Sequence, residues 1–179
     1  MPSSALSEWF GTVACVLMGA VMPAPRWAIG GDVTRFGEGG VAGACRGSVR
    51  LVLPKDCPCG TGEEYGRCCG RFHCGAADAP TAQALMRSRY AAFAVGDADY
   101  LFRTWHPRTR PDSVVVDPAL SWTGLEIVDV VAGGERDEDG EVAFTARWCT
   151  AEGRRGVLVE RSRFIRRAGR WLYLDGDHS

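Results

Sequence analysis

Four cysteines within a span of 13 residues are the side chains of this sequence with the clearest chemistry. They are Cys57, Cys59, Cys68 and Cys69, spaced as C-x-C, eight residues, then C-C. Thiolates at this density on a short loop can close a tetrahedral shell around Zn²⁺ without a ligand from elsewhere in the chain. Because protein sulfur fills all four positions, the pattern predicts a structural zinc ion and not a catalytic one.

The total of eight cysteines raises a second interpretation, a secreted domain held together by disulfides. Five of the eight lie between Cys57 and Cys74, whereas a disulfide framework usually spreads its bridges through the fold. A bridge between adjacent Cys68 and Cys69, or between Cys57 and Cys59, would also be strained. We therefore favour zinc, and since zinc thiolates need a reducing compartment, we expect a cytoplasmic protein.

The residues around the cysteines support a compact metal loop. Gly60 and Gly62 permit positive φ, so the chain can fold back and direct amide N–H groups at the sulfurs. Tyr65 is the one large side chain available to cover the metal. His73 and Cys74 follow closely as spare donors, and we expect His73 to lie behind the ligands or at the junction with the next domain.

The segment C-x-C-G-T-G at residues 57–62, followed by Tyr65 and the pair Cys68–Cys69, resembles the SEC-C motif. This short zinc module is found at the C-terminus of the SecA translocation ATPase and in many small bacterial proteins. The resemblance implies a role in protein contacts. Three basic side chains flank the cysteines and would form either a contact for an acidic partner or a solvated rim: Lys55, Arg67 and Arg71.

The bulk properties indicate an ordinary globular chain of 179 residues, 46% apolar and 24% charged. A net charge of −1 does not favour nucleic acid as a partner. The apolar run at residues 9–22 is too short to span a bilayer, so no membrane partner is expected. Residues 1–50 are predicted to be a disordered extension or sequence upstream of the true start, with export as an open alternative. A zinc module at 51–75 and an α+β domain at 76–179 would follow.

The second domain begins with helices and continues with strands. Thr81 and Gly96 are the expected caps of a first helix, and a second helix would run from Asp97 through Trp105. Beyond it the apolar period becomes two, with a hairpin turn at 167–170. This order predicts an α+β fold with helices packed on one face of a curved antiparallel sheet. The predicted strands are 114–116, 122–131, 141–150, 157–166 and 171–175.

Several segments in order resemble the YchJ family of small bacterial proteins: CCGRFH at 68–73, ALMRSRY at 84–90, WTGL at 122–125 and ERSRF at 160–164. That family joins an N-terminal SEC-C motif to a domain similar to nuclear transport factor 2. The resemblance covers about residues 57–176 and implies an α+β cone with a pocket at its mouth. It implies no particular activity.

One strand places a carboxylate among apolar side chains. Glu160 and Ser162 share a face with Leu158, and in a cone interior the pKa of Glu160 would rise into a range suited to acid–base chemistry. The alternative is that Glu160 pairs with Arg87 or Arg89 of the first helix.

Other candidates are weaker. His106 could act as a base in the pocket, cap helix carbonyls or lie in solvent. The tryptophans at 105, 122, 148 and 171 could line a pocket or belong to the core. The residues predicted to line the pocket are Arg87, Arg89, Tyr90, Trp122, Trp148, Glu160 and Ser162.

Three functions follow from these features. The first is a binding or adaptor protein that uses its structural zinc module for contacts with a protein partner. The alternative is an enzyme of the isomerase, dehydratase or hydrolase type with Glu160 as its acid–base group. A third, single-stranded nucleic-acid binding, would depend on Tyr65 and Phe72 as stacking surfaces, and the charge balance disfavours it.

Overall fold

The computed structural model describes residues 54–178, and the expectations for residues 1–50 lie outside this range. Helices come first and antiparallel strands follow, so the predicted α+β class is confirmed. The helices are α1 (Gly70–His73), α2 (Ala82–Val95) and α3 (Ala98–Arg103), and the strands are β1 (Leu120–Ala132), β2 (Asp139–Thr150), β3 (Arg155–Arg167) and β4 (Arg170–His178).

Helix α2 has the caps that its sequence predicts. The Thr81 hydroxyl accepts a hydrogen bond from the Ala84 amide at 3.1 Å, which satisfies one donor of the first turn. Gly96 ends the helix with φ 77°, a left-handed conformation that glycine adopts without a steric penalty. The Asp97 carboxylate then accepts from the Tyr100 amide at 2.9 Å and begins α3.

Helix α3 ends at Arg103, earlier than the predicted end near Trp105. The Thr104 hydroxyl donates to the Tyr100 carbonyl at 2.7 Å and so satisfies an acceptor of the last turn. Trp105 instead forms a parallel bridge with Tyr173 of β4. A contact with a distant strand therefore sets the end of this helix, well before Pro107.

The sheet is an antiparallel meander in the order β1-β2-β3-β4. Irregular register in β1 between Trp122 and Gly124, and again between Ile127 and Asp129, bends the strand and increases its twist. The predicted turn at 167–170 is confirmed: Ala168 and Gly169 both have positive φ, as a two-residue hairpin turn requires.

The predicted strand at 114–116 is wrong, because these residues lie in an irregular segment. Val114 and Val116 pack against the core while Val115 is 67% exposed, so the burial alternates as expected. Among the described residues no strand pairs with this segment, and alternation without a hydrogen-bonding partner does not make a strand.

The core lies between the helices and one face of the sheet. Leu85 and Leu101 of the helices and Val142, Phe144 and Phe164 of the sheet are at most 2% exposed. Each such side chain contributes about 1.5–3 kcal/mol of hydrophobic stabilisation. Trp105 and Trp171 belong to this core, as one of the two interpretations expected. Between residues 54 and 178, no helix has the length and hydrophobicity that a bilayer crossing demands.

Candidate metal centre

The four cysteines of the predicted shell come together at one point. Their sulfurs all lie within 4.8 Å of one another, with Cys59 Sγ 3.5 Å from Cys68 Sγ and Cys68 Sγ 3.9 Å from Cys69 Sγ. Sulfurs bound at 2.3 Å to a tetrahedral zinc ion are separated by about 3.8 Å. None of the six cysteines between residues 54 and 178 is joined in a disulfide. The cluster could hold a metal ion.

Two glycines allow the loop to reverse beneath the sulfurs. Gly60 and Gly62 both have φ 78°, a conformation that a residue with a Cβ rarely adopts. The Cys57 amide donates to the Glu63 carbonyl at 2.8 Å, which joins the two sides of the loop. The first pair of cysteines is therefore held toward the second by backbone geometry.

Hydrogen bonds within the cluster distribute the protons unevenly. The Cys57 thiol, and then that of Cys69, lower the pKa of Cys59, so Cys59 forms a thiolate before Cys57 and Cys69 do. The hydrogen bond with Cys59 raises the pKa of Cys57 to about 11, and the one with Cys57 raises the pKa of Cys69. Thr61 Oγ1 lies 3.4 Å from Cys59 Sγ and 3.3 Å from Cys68 Sγ, where its hydroxyl can donate to a thiolate. A divalent cation would replace the protons that remain.

A buried aromatic pair covers the cluster. Tyr65 is 6% exposed, and its hydroxyl lies 2.7 Å from Nδ1 of His73. His73 Nε2 lies 2.9 Å from the Ser88 carbonyl, which can only accept, so Nε2 carries the hydrogen and Nδ1 accepts from the tyrosine. Burial lowers the pKa of His73, which keeps the ring neutral for this arrangement. A Cβ on Gly70 would lie 2.7 Å from the Tyr65 carbonyl oxygen, so glycine permits the close approach of α1.

The two spare donors lie outside the group of four sulfurs. His73 occupies the junction between the cysteine loop and α2, in agreement with its expected place. Cys74 is exposed, and its thiol is 3.6 Å from the Arg71 carbonyl.

Helix α2 and strand β1 support the cysteine loop from below. Arg87 Nη1 donates to the Cys59 carbonyl at 2.8 Å. A Cβ on Gly60 would lie 3.7 Å from the Leu125 carbonyl oxygen, so the loop is in contact with β1. The candidate metal centre is thus built onto the larger fold and does not stand apart from it.

Sequence reasoning missed two of these supporting roles. Thr61 belongs to the segment that resembles the SEC-C motif, and a hydroxyl two residues after Cys59 is the signal that could indicate its contact with the sulfurs. Arg87 was assigned to the pocket, and no local sequence signal marks its contact with Cys59.

The predicted carboxylate lies on the buried face of the sheet. Glu160 is 3% exposed, and its Oε1 accepts from the Ser162 hydroxyl at 2.6 Å and from the Tyr173 hydroxyl at 3.2 Å. Burial raises the pKa of Glu160 above its usual range. The residue is therefore a carboxyl group that holds its proton more tightly than a solvated one.

The second predicted arginine is buried beside this carboxyl group. Arg89 Nη1 donates to the Leu101 carbonyl and to Thr104 Oγ1, both at 2.9 Å. Its guanidinium carbon lies 5.0 Å from the ring centre of Trp105 and 4.5 Å from that of Tyr173, within cation–π range. Rings and helix carbonyls thus hold the guanidinium of Arg89, and its charge opposes part of the rise that burial causes in the pKa of Glu160. Arg87, the other candidate partner of Glu160, donates to the cysteine loop.

The predicted aromatic pocket residues are packed against other side chains or backbone. Trp122 contacts Tyr90 and Phe93 with ring centres 5.8 and 5.9 Å apart. Trp148 lies over Gly156 on the neighbouring strand, where a Cβ would come within 2.2 Å of the indole.

His106 is 5% exposed, and hydrogen bonds fix both its backbone and its ring. Its amide donates to the Tyr173 carbonyl at 2.7 Å, and its Nδ1 accepts from the Arg108 amide at 3.2 Å. Burial, and then the charges of Arg108 and Arg167, lower the pKa of His106.

A cleft of about 290 Å³ lies elsewhere in the described structure, and none of the seven predicted pocket residues lines it.

Known proteins resemble this chain over most of the described residues. Residues 81–176 match the family described as YchJ, middle NTF2-like domain. The chain is 57% identical over 121 residues to the UPF0225 protein SCO1677 of Streptomyces coelicolor, a match that covers 68% of this chain and 94% of that protein. A UPF0225 protein of Deinococcus radiodurans is 50% identical over 121 residues, covering 68% and 88%.

Two solved structures are similar over most of the described region. The solution structure of RPA3114, a SEC-C motif containing protein from Rhodopseudomonas palustris, has a TM-score of 0.61 and 33% identity, covering 69% of this chain and 98% of its own. The crystal structure of a SEC-C motif containing protein from Psychrobacter arcticus has a TM-score of 0.56 and 27% identity, covering 72% and 85%.

Proposed function

Because the chain belongs to the YchJ family and carries the cysteine pattern of the SEC-C motif, we propose that it is a zinc-binding adaptor. In this proposal Cys57, Cys59, Cys68 and Cys69 bind one Zn²⁺ with no open coordination position. The zinc-stabilised loop then serves as a rigid contact surface for a protein partner in the cytoplasm.

The observation that carries the proposal is the convergence of four sulfurs within 4.8 Å of one another. Four thiolate ligands are typical of structural zinc sites, and a catalytic site would keep a position for water. The loop has few apolar side chains of its own, so metal binding would supply much of the free energy that orders it.

The outer side of the loop supports a role in protein contacts. Lys55, Glu63, Arg67 and Arg71 are exposed around the cluster, while the opposite side is fixed to α2 through Arg87. A surface of this kind loses little conformational entropy on binding, because its backbone is already ordered. Its mixed charges would select a partner by complementarity, not by net charge.

The metal assignment is tested on the purified full chain by elemental analysis and native mass spectrometry. We expect one zinc ion per chain, lost in Cys57→Ser and Cys69→Ser and retained in Cys74→Ser, which changes a thiol outside the cluster. Protein without stoichiometric metal, or with the four sulfurs joined in disulfides, would overturn it.

The contact surface is tested by photo-crosslinking in cells. A photoreactive residue replaces Arg67 beside the cysteines or, as the matched control, Arg136, which is exposed in the β1–β2 turn. We expect a discrete crosslinked protein from position 67 alone, and its loss when Cys69→Ser is added. Identical products from both positions, or none from position 67, would count against the adaptor role.

A second candidate function, acid–base catalysis in the cone, is favoured by the surroundings of Glu160. Burial raises the pKa of this carboxyl group, and two hydroxyls fix its orientation. The decisive measurement is an NMR screen of small molecules that detects shifts of Ser162 and Glu160 and repeats each hit with Glu160→Gln. If no hit reaches these residues, the catalytic alternative fails.

A further inference from the structure

The cleft of about 290 Å³ lies between the segment after α1, helix α3 and the start of β4. Its apolar lining consists of the half-buried Leu172 above a floor of nearly buried side chains, namely Phe72, Leu85, Tyr100 and Trp171. Aromatic rings and aliphatic side chains in a concave surface are typical of sites that bind an apolar body. The volume is at the low end for ligand sites, so it suits a group about as large as one aromatic side chain.

Two arginines contribute to the same lining. Arg103 donates through Nη2 to the carbonyls of Phe72 and His73 and lies over the Tyr100 ring at 4.7 Å, which fixes its position. A guanidinium has five N–H donors, and these contacts use only one of its nitrogens. Arg170, the first residue of β4, is exposed at the edge of the cleft.

The charges of the cleft are not balanced from within. Within the part of the chain that the structure describes, neither Arg103 nor Arg170 takes part in an ion pair, and Asp78 is the single acidic residue of the lining. Arg167 is the register partner of Arg170 across the hairpin turn and adds a further positive charge. In a chain of net charge −1, this local excess attracts anions.

We propose that this cleft binds a small organic anion. Its carboxylate would be held by the guanidinium groups of Arg103 and Arg170, whose geometry suits a carboxylate, and its apolar body would lie against Leu172 and the exposed part of Phe72. Such a group occurs on free aromatic acids and on the C-terminal residue of a peptide. The site is separate from the cysteine cluster, so it stands whether or not the adaptor proposal does.

The test is an NMR titration of the metal-loaded full chain with three probes that share one ring. N-acetyl-phenylalanine carries the anion, its amide is neutral, and phenylalaninamide is a cation. We expect saturable shifts of the Trp171 indole N–H, which donates to the Pro80 carbonyl at 3.1 Å, and of the Leu172 amide. Binding should weaken from anion to neutral amide to cation. Equal shifts from all three, or the strongest binding from the cation, which would indicate that Asp78 dominates, would overturn the proposal.

A variant distinguishes binding through Arg170 from nonspecific binding. Arg170→Gln should weaken binding of N-acetyl-phenylalanine about tenfold, as expected for the loss of one charge-assisted hydrogen bond. Arg155→Gln, at the exposed start of β3, is the matched control and should leave the affinity within about twofold. Equal effects of the two variants would refute the site.

The source of the anion is distinguished by a tripeptide, Gly-Gly-Phe, compared as acid and amide. If the acid binds at least as tightly as N-acetyl-phenylalanine, the cleft accepts a peptide C-terminus. If only the small acid binds, the ligand is a free molecule. If neither acid gives a saturable shift at Trp171, the proposal is wrong.

Discussion

Replacement of Arg87 tests whether the cysteine loop depends on the fold beneath it. Arg87→Met preserves most of the length and apolar contact of the side chain but removes the donor that bonds to the Cys59 carbonyl at 2.8 Å. A hydrogen bond from a charged group contributes about 1.5–3 kcal/mol. Because Arg87 is half-buried, we take the lower end, about 1.5 kcal/mol, which corresponds to roughly a tenfold change in an equilibrium constant.

The lost free energy can appear either in zinc affinity or in the stability of the metal-free chain, so both must be measured. If the loop closes only when metal binds, zinc affinity falls about tenfold; if it is closed beforehand, the metal-free chain loses the same free energy of unfolding. Competition between Zn²⁺ and Co²⁺, followed by the cobalt–thiolate absorption, gives the first quantity. Urea unfolding of the metal-free chain gives the second.

Two further variants complete this test. Arg136→Met removes an exposed arginine of the β1–β2 turn and should change neither quantity. Arg87→Lys retains one charged donor and should recover part of the loss. If Arg87→Met leaves both zinc affinity and the free energy of unfolding within about 0.3 kcal/mol of the wild-type protein, the loop is independent of α2 and the reasoning is refuted.

Three other outcomes are expected. Zinc binding at pH 7 should release at least two protons, because hydrogen bonding within the cluster raises the pKa of both Cys57 and Cys69 in the metal-free chain. Calorimetry in buffers of different ionisation enthalpy counts the released protons. A smaller number would show that Cys57 and Cys69 are not both protonated in the metal-free chain. Gly70→Ala should lower the free energy of unfolding by about 1–3 kcal/mol, since the alanine Cβ would meet the Tyr65 carbonyl oxygen at 2.7 Å. If thermal denaturation finds no loss of stability, α1 can shift to accommodate the Cβ. Glu160→Gln should stabilise the chain at pH 8 more than at pH 4. Burial raises the folded-state pKa of Glu160 above its unfolded value, so the wild-type protein loses stability as pH rises through that interval, and parallel melting curves of the two proteins against pH would be the contrary result.

Local patterns predict the elements of this fold well where a few neighbouring residues set the geometry. Thr81 and Gly96 mark the ends of α2 because capping depends on the residues at the helix ends alone. The segment 114–116 shows the limit, since its three consecutive valines predict a strand but the hydrogen-bonding partner of a strand is a property of the whole sheet.

The candidate site divides in the same way. The cysteine spacing predicts that the four sulfurs meet, because the loop itself brings them together. The partners of Arg87 and Arg89 were not predictable, since residues two apart on a helix point to opposite sides and both side chains carry the same charge. Arg87 is directed to the cysteine loop and Arg89 into the core. Which arginine takes which place depends on how α2 packs between the loop and the core.

The meander order of the sheet has a consequence for synthesis of the chain. Each strand pairs with the strand just before it, so the sheet can grow hairpin by hairpin as the polypeptide leaves the ribosome. The helices cannot complete their packing on the same schedule, because Trp105 and His106 are held by Tyr173 of the last strand. Until β4 emerges, the part of the helical surface that packs against Trp171 and Tyr173 stays uncovered, and a nascent chain stalled before residue 170 would be a substrate for chaperones or proteases.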